Sequence, residues 1–179
     1  GEKADRFEKV GLQLRDGLTG AERTVRLPIV REPVENQYEI VMVCVQESHR
    51  PAVEKLVQNL PGRPIIWFLG NTTRGYDNAG NLLGRDRILG GFPDVGGMWD
   101  EGVLVYADRE KPKDKPFNKL IASEAFPESK PTFDLLQKTM SGLNQRIVRF
   151  DPIIACHLCR LSLILPLAAA VYLHDGDLE

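Results

Sequence analysis

The sequence predicts an α/β chain whose main part is a parallel sheet with helices on both faces. Two short runs carry the prediction: Tyr38 to Val45, and Pro64-Ile65-Ile66-Trp67-Phe68-Leu69. Both are nearly continuous in apolar, β-branched or aromatic residues, as suits strands covered on both faces. An amphipathic stretch follows the first run, and a third short apolar run, Arg87-Ile88-Leu89-Gly90-Gly91-Phe92, follows the second after a short polar segment. Strand, helix, strand, helix, strand with short links is the doubly wound alternation.

The other elements follow in order. Ala4 to Val10 reads as the end of a helix stopped by Gly11. Leu12 to Arg15 and Arg23 to Val30 alternate apolar and polar residues around Asp16-Gly17-Leu18-Thr19-Gly20, a hairpin-like pair with a Gly-rich turn. After the first buried strand, Ser48 is placed to cap a helix with Pro51 early in it and Val53, Leu56, Val57 and Leu60 on one face. Pro61-Gly62 ends that helix, and Asp77 to Leu83 forms a short one after the loop Gly70-Asn71-Thr72-Thr73-Arg74-Gly75. Gly102 to Ala107 and Phe117 to Ala122 read as strands flanking a charged, Pro-containing turn. Thr132 to Met140 reads as an amphipathic helix and Arg146 to Phe150 as a last strand. Asp151 is a candidate N-cap with Pro152 at the first helical position. The helix from Pro152 to about Leu173 contains Pro166, where a kink is expected. A domain boundary is expected near Asp151, separating 1–150 from the helix that opens a second domain in 151–179.

Composition narrows the function classes. With 42% hydrophobic and 27% charged residues over 179 positions, the chain has a globular mixture and can bury a core without staples. A formal net charge of −2 and no polybasic cluster argue against nucleic acid and against an anionic membrane surface. Three cysteines, Cys44, Cys156 and Cys159, make no disulfide framework and point to a reducing, cytoplasmic setting. The apolar run Leu161 to Leu173 is shorter than the roughly 20 residues a membrane span needs, so a buried core helix is expected. Both ends read as cut: the chain opens on the tail of a helix, and nothing after the last helix covers its apolar faces.

The order of features from Tyr38 to Gly102 resembles the ketopantoate (2-dehydropantoate) reductase family. A strand ends in Val45-Gln46-Glu47-Ser48, a helix carries Ala52-Val53 and Leu56, and a strand ends in Leu69-Gly70-Asn71. Then come Ile88-Leu89-Gly90-Gly91, a turn, and Asp100-Glu101-Gly102-Val103. From Val103 to Pro166 the small sheet, helix, strand and long Pro-containing helix of the family follow in the same order. The motifs are short, so the specificity lies in their order. The resemblance implies a Rossmann-type parallel sheet followed by the start of an all-helical domain. It also implies an NADP cofactor, a small 2-oxo acid or related carbonyl as substrate, and homodimer formation through the helical domain. The family's opening GxGxxG turn has no counterpart here: Gly17-Leu18-Thr19-Gly20 lacks the pattern and sits in a hairpin.

Site residues carry over position by position. Asn71 matches the family's Asn beside nicotinamide and substrate, at a strand end where open α/β sheets bind ligands, and Gly70 precedes it at the cofactor. The rival reading of Asn71 is an amide that stabilises its own turn. Gln46 stands where the family often has a cofactor-facing Lys; it keeps hydrogen bonding without the charge, and its rival reading is a surface turn residue. Aligned on Pro166, the family's catalytic Lys falls on His157, and two family Asn positions fall on Leu161 and Leu165. A His could donate a proton near neutral pH, or be a plain helix histidine. Leucines cannot replace amides, so the substrate pocket is expected to differ. Asp94 and Trp99, with Met98, could shape the substrate rim in the turn after the third strand, or simply pack a loop. Arg74 could meet a carboxylate or phosphate, or be solvated. Cys156-His157-Leu158-Cys159 lacks a second ligand pair for zinc and lies inside a helix rather than at its start, which favours structural cysteines and no metal.

The function expected from these residues is NADPH-dependent reduction of a 2-oxo acid or related carbonyl, with Asn71 orienting nicotinamide or substrate and His157 the candidate acid. Two alternatives stand beside it: a Rossmann-like module that binds nucleotide or a partner without catalysis, and a dehydrogenase acting on a different hydroxy acid or an imine.

Overall fold

The computed structural model describes residues 2–31, 38–94, 96–106, 119–143 and 147–174. The helices are α1 (Glu2–Val10), α2 (Arg50–Gln58), α3 (Asp77–Leu83), α4 (Lys130–Gly142) and α5 (Ile153–Leu173). The strands are β1 (Leu12–Asp16), β2 (Glu22–Val25), β3 (Ile40–Val43), β4 (Ile65–Leu69), β5 (Ile88–Asp94), β6 (Gly97–Asp100), β7 (Val103–Tyr106), β8 (Lys119–Glu124) and β9 (Ile147–Arg149). They fall into two compact units, Gly1–Val34 with Asp94–Lys119, and Glu35–Pro93 with Leu120–Glu179.

The smaller unit is a four-stranded sheet in the order β2-β1-β7-β6. β1 pairs antiparallel with β2 and parallel with β7, and β6 pairs antiparallel with β7. Glu101 and Gly102 both have positive φ, 43° and 88°, so a two-residue turn closes the β6–β7 hairpin with the twist such hairpins favour. α1 lies on this unit through Arg6, whose Nη2 donates to the Gly102 carbonyl at 3.0 Å, and through Phe7 stacked on Trp99.

The larger unit is α/β, with a Rossmann-type five-stranded sheet in the order β3-β4-β5-β8-β9. The registers Ile40↔Ile65, Ile66↔Ile88 and Leu120↔Ile147 are all parallel. Period-two alternation sends the β4 side chains into two cores. Ile66 and Phe68 join Val57, Ala79, Leu83, Ile88, Phe126 and Ile153 on one face. Ile65, Trp67 and Leu69 join Leu89, Phe133, Leu136 and Ile147 on the other, beneath α4. Every β4 side chain is buried, which is why that run reads as continuously apolar.

Several expectations need correction. Asp94, expected in the turn after the third strand, is instead the last residue of β5. Ser48 caps nothing: it sits inside a 3-10 turn, Glu47–His49, and His49 takes the N-cap position of α2. Asp151 is not the cap of α5. Pro152 holds that position in extended conformation, the Asp151–Pro152 peptide is cis, and the Asp151 carboxylate accepts from Arg149 at 3.3 Å. The helix runs on through Pro166 to Leu173. Ile153 and Cys156, in the first turns of α5, enter the core of the larger unit. Beyond those first turns α5 is not the buried helix expected: Leu163, Leu165, Leu167 and Leu173 are all exposed. By length and composition α5 is apolar enough to cross a membrane. However, the stretch beyond its enclosed first turns is shorter than the roughly 20 residues of a span.

Ile66→Ala, at a wholly buried position, is expected to cost about 2–5 kcal/mol in urea unfolding. Leu163→Ala, at a position 72% exposed, is expected to shift the same stability by less than about 0.5 kcal/mol. A core-sized loss at Leu163 would mean that this face is covered in solution.

Candidate functional site

The carboxyl ends of β3, β4 and β5 converge. The Gly70 N–H donates to the Gly91 carbonyl at 3.1 Å, and a Cβ on Gly70 would lie 3.3 Å from the Val45 carbonyl. A glycine there lets the three backbones approach with little steric cost. A small cavity opens at this edge, lined among others by Val45, Glu47, Arg50, Phe68, Gly70 and Asn71. The carboxyl edge is where open α/β sheets take ligands.

Asn71 sits on this edge, exposed, immediately after Gly70. Among the described residues its side-chain amide has no hydrogen-bond partner, so it does not brace its own turn. Thr72 braces it instead: its buried hydroxyl accepts from the Arg74 N–H at 3.2 Å. Gln46 is exposed at the end of the β3 connection, with its carbonyl accepting from the His49 N–H at 3.0 Å and its side chain capping nothing.

Glu47 of that connection and Arg50, the first residue of α2, reach across to the loop after β4. The Glu47 carboxylate accepts from the Thr72 hydroxyl, from the Thr73 N–H at 3.1 Å, from the Thr73 hydroxyl at 3.2 Å and from the Arg74 N–H at 3.2 Å. Burial pushes the Glu47 carboxyl up, but the bonds from Thr72, Arg74 and Thr73 together outweigh it and hold it below its ordinary range. Arg50 is buried. Its Nε donates to Glu54 at 2.8 Å and its Nη1 to the Gly75 carbonyl at 2.9 Å. The guanidinium lies over the Phe68 and Tyr76 rings, at 4.3 and 4.8 Å from their centroids.

His157 is wholly buried, with its Nε2 2.8 Å from the Tyr76 hydroxyl. The Gly91 N–H hydrogen-bonds the same Tyr76 oxygen, and burial raises the phenol's pKa, so Tyr76 keeps its proton and donates it to Nε2. That assigns the ring proton to Nδ1, which has no partner among the described residues. Burial, reinforced by the Arg160 and Arg50 charges, lowers the His157 pKa to about 4. At neutral pH the ring is uncharged, accepts from the Tyr76 hydroxyl at Nε2 and ties α5 to it.

The other expected site residues fall elsewhere. Asp94 ends β5, and its side chain lies outside the described residues. Trp99 belongs to β6 of the smaller unit, half exposed and stacked on Phe7 with centroids 6.1 Å apart. Cys156 is buried, which raises its thiol pKa, and Cys159 is exposed; neither forms a disulfide. Among the described residues no group of three or more His, Cys, Asp or Glu could hold a metal. A roomier cleft of about 400 Å³ lies at the ends of β8 and β9, lined by Phe126, Lys130, Arg149 and Ile154 among others. Its charges are mutually satisfied: Arg149 pairs with Glu124 at 2.8 Å, and Lys130 with Asp134 at 3.1 Å. The β3–β4–β5 edge, with its free amide, is the better candidate site.

No family model matches the chain, and no curated protein is similar to it in sequence. Solved structures do match. A 2-dehydropantoate 2-reductase from Porphyromonas gingivalis W83 superposes with a TM-score of 0.71 at 12% identity, over 98% of this chain and 60% of that one. D-mandelate dehydrogenase with NADH and anilino(oxo)acetate matches with a TM-score of 0.65 at 15% identity, over 84% and 46%. A 2-dehydropantoate 2-reductase from Geobacter metallireducens GS-15 gives 0.59 at 19%, over 80% and 46%. The fold is thus that of the ketopantoate reductase-like structures. The chain spans about half the length of the solved structures it matches.

The His157 geometry has a pH consequence. Its folded pKa lies below the ordinary value near 6.5, so the unfolded chain binds the proton more readily. Stability is therefore full above about pH 6.5, falls as the pH drops from there to about 4, and levels off below that. His157→Gln, which keeps an acceptor for Tyr76, is expected to flatten the loss between about pH 7 and 5 in urea-unfolding midpoints. An unchanged slope in that variant would assign the titration to another group.

Proposed function

We propose that this chain forms part of a nicotinamide-dependent reductase acting on a 2-oxo acid or related carbonyl, with a substrate pocket unlike that of ketopantoate reductases. The observation that carries the reading is the Gly70-Asn71 corner. In a fold shared with D-mandelate dehydrogenase and 2-dehydropantoate 2-reductases, it offers an unpartnered amide at the ligand edge of a parallel sheet.

The residues fit a nicotinamide group. Asn71 can both donate to and accept from a carboxamide or a substrate carbonyl. Gly70 admits close approach, and Gln46 lies at the end of the neighbouring connection. The dinucleotide, when bound, supplies the hydride. This chain's contribution is position: Asn71 orients the ring or the carbonyl, and the packed strand ends keep it in place. NADPH is proposed over NADH on the family resemblance; the mandelate dehydrogenase structure holds NADH. A cytoplasmic setting agrees with cysteines that carry no disulfide.

One observation favours a second reading, dinucleotide binding without turnover. His157 is enclosed and neutral, and Leu161 and Leu165 stand where the family has amides.

Fluorescence titration with NADPH and NADH, followed by assay against a panel of 2-oxo acids, separates the readings. Binding with oxidation of the cofactor is expected, and Asn71→Ala is expected to weaken binding by about three- to tenfold, the scale of one net hydrogen bond. Binding without turnover on any carbonyl supports the second reading; binding of neither dinucleotide overturns both.

A further inference from the structure

Asn71 is free because other groups hold its loop. A chain leaving a strand end exposes N–H groups that need acceptors, and Asn side chains commonly supply one by folding back onto the turn. Here the acceptor comes from a different connection. Glu47, in the 3-10 turn after β3, takes both the Thr73 and Arg74 N–H groups and both threonine hydroxyls. The Thr72 hydroxyl donates to Glu47 and accepts from Arg50 at 3.4 Å. Arg50 also takes the Gly75 carbonyl at 2.9 Å and is fixed by its ion pair with Glu54. The loop is thus held by its donors through Glu47 and by an acceptor through Arg50.

We propose that Glu47 is the positioning residue of this site: by accepting from Thr72, Thr73 and Arg74 it leaves the Asn71 amide unengaged and aimed outward for a nicotinamide dinucleotide. The inference rests on the reductase reading. Glu47 does not touch the ligand in this scheme; it acts through Asn71. Its carboxylate is held ionised and saturated with donors, so it is an anchor and not a proton source.

The test uses the full chain, NADPH and NADH as probes, and the variants Glu47→Ala, Glu47→Gln, Asn71→Ala and Glu47→Ala/Asn71→Ala. Glu47→Ala is expected to weaken binding by about three- to tenfold, no more than Asn71→Ala does, and Glu47→Gln, which keeps one acceptor oxygen, to recover part of the loss. In the Asn71→Ala background, Glu47→Ala is expected to change binding by less than about twofold, because the two residues act as one unit. Amide hydrogen exchange at Thr73 and Arg74 is expected to quicken in Glu47→Ala while the β4 amides stay protected, which shows that the fold is intact. Additive losses in the double variant, or unchanged exchange at Thr73 and Arg74, overturn the positioning role even when the wild type binds. A wild-type chain that binds neither dinucleotide overturns the reductase reading and the ligand assigned here with it.

Discussion

The carboxyl edge of the larger unit is organised around one buried cation, Arg50. Removing a guanidinium from water costs several kcal/mol unless its donors and charge are met. Glu54, one helical turn on, meets the charge at 2.8 Å. The Gly75 carbonyl and the Thr72 hydroxyl meet the remaining geometry from the loop after β4. The Phe68 and Tyr76 rings pack against the guanidinium, with centroids 4.3 and 4.8 Å from its carbon. Satisfying this one group requires α2, the end of β4, the following loop and the start of α3 to occupy a single arrangement. The carboxyl edge of the sheet inherits its order from that requirement.

Tyr76 passes the constraint on to α5. Its ring lies against Gly90, where a Cβ would collide with the phenol. Its hydroxyl is hydrogen-bonded by the Gly91 N–H and in turn holds His157. At the adjacent position, a Cβ on Gly91 would strike the Ile121 carbonyl of β8. The Gly90-Gly91 pair thus lets strand, loop and helix close on one another. The dryness of that closure, with Arg160 over Phe92 at 3.9 Å, keeps the imidazole neutral.

Much of this was legible in the sequence, for identifiable reasons. The β4 run is apolar at every position because both faces are covered, and continuous apolarity is a local signal. Gly70-Asn71 could be located because strand ends are read from where that signal stops. β6 leaves no such signal: its side chains are all exposed, so Gly97 to Asp100 has no buried face to impose a pattern. α5 was misjudged because apolar composition alone does not say whether a neighbour covers it. At the site, the Arg50–Glu54 spacing was visible as an i,i+4 pair, but its burial was not. Glu47 carries no sequence signal of its role, because its partners lie 25 to 27 positions away.

The sequence by itself determined the kinds of element, their order and the parallel α/β class, since these follow from hydrophobic period, glycine placement and link length over a few residues at a time. Only the tertiary structure decided which polar groups meet. It gave Glu47 to the loop after β4, left Asn71 free, and enclosed His157 against Tyr76. Hydrogen bonding, desolvation and charge depend on distances between segments far apart in the chain, and those distances exist only once the sheet has assembled.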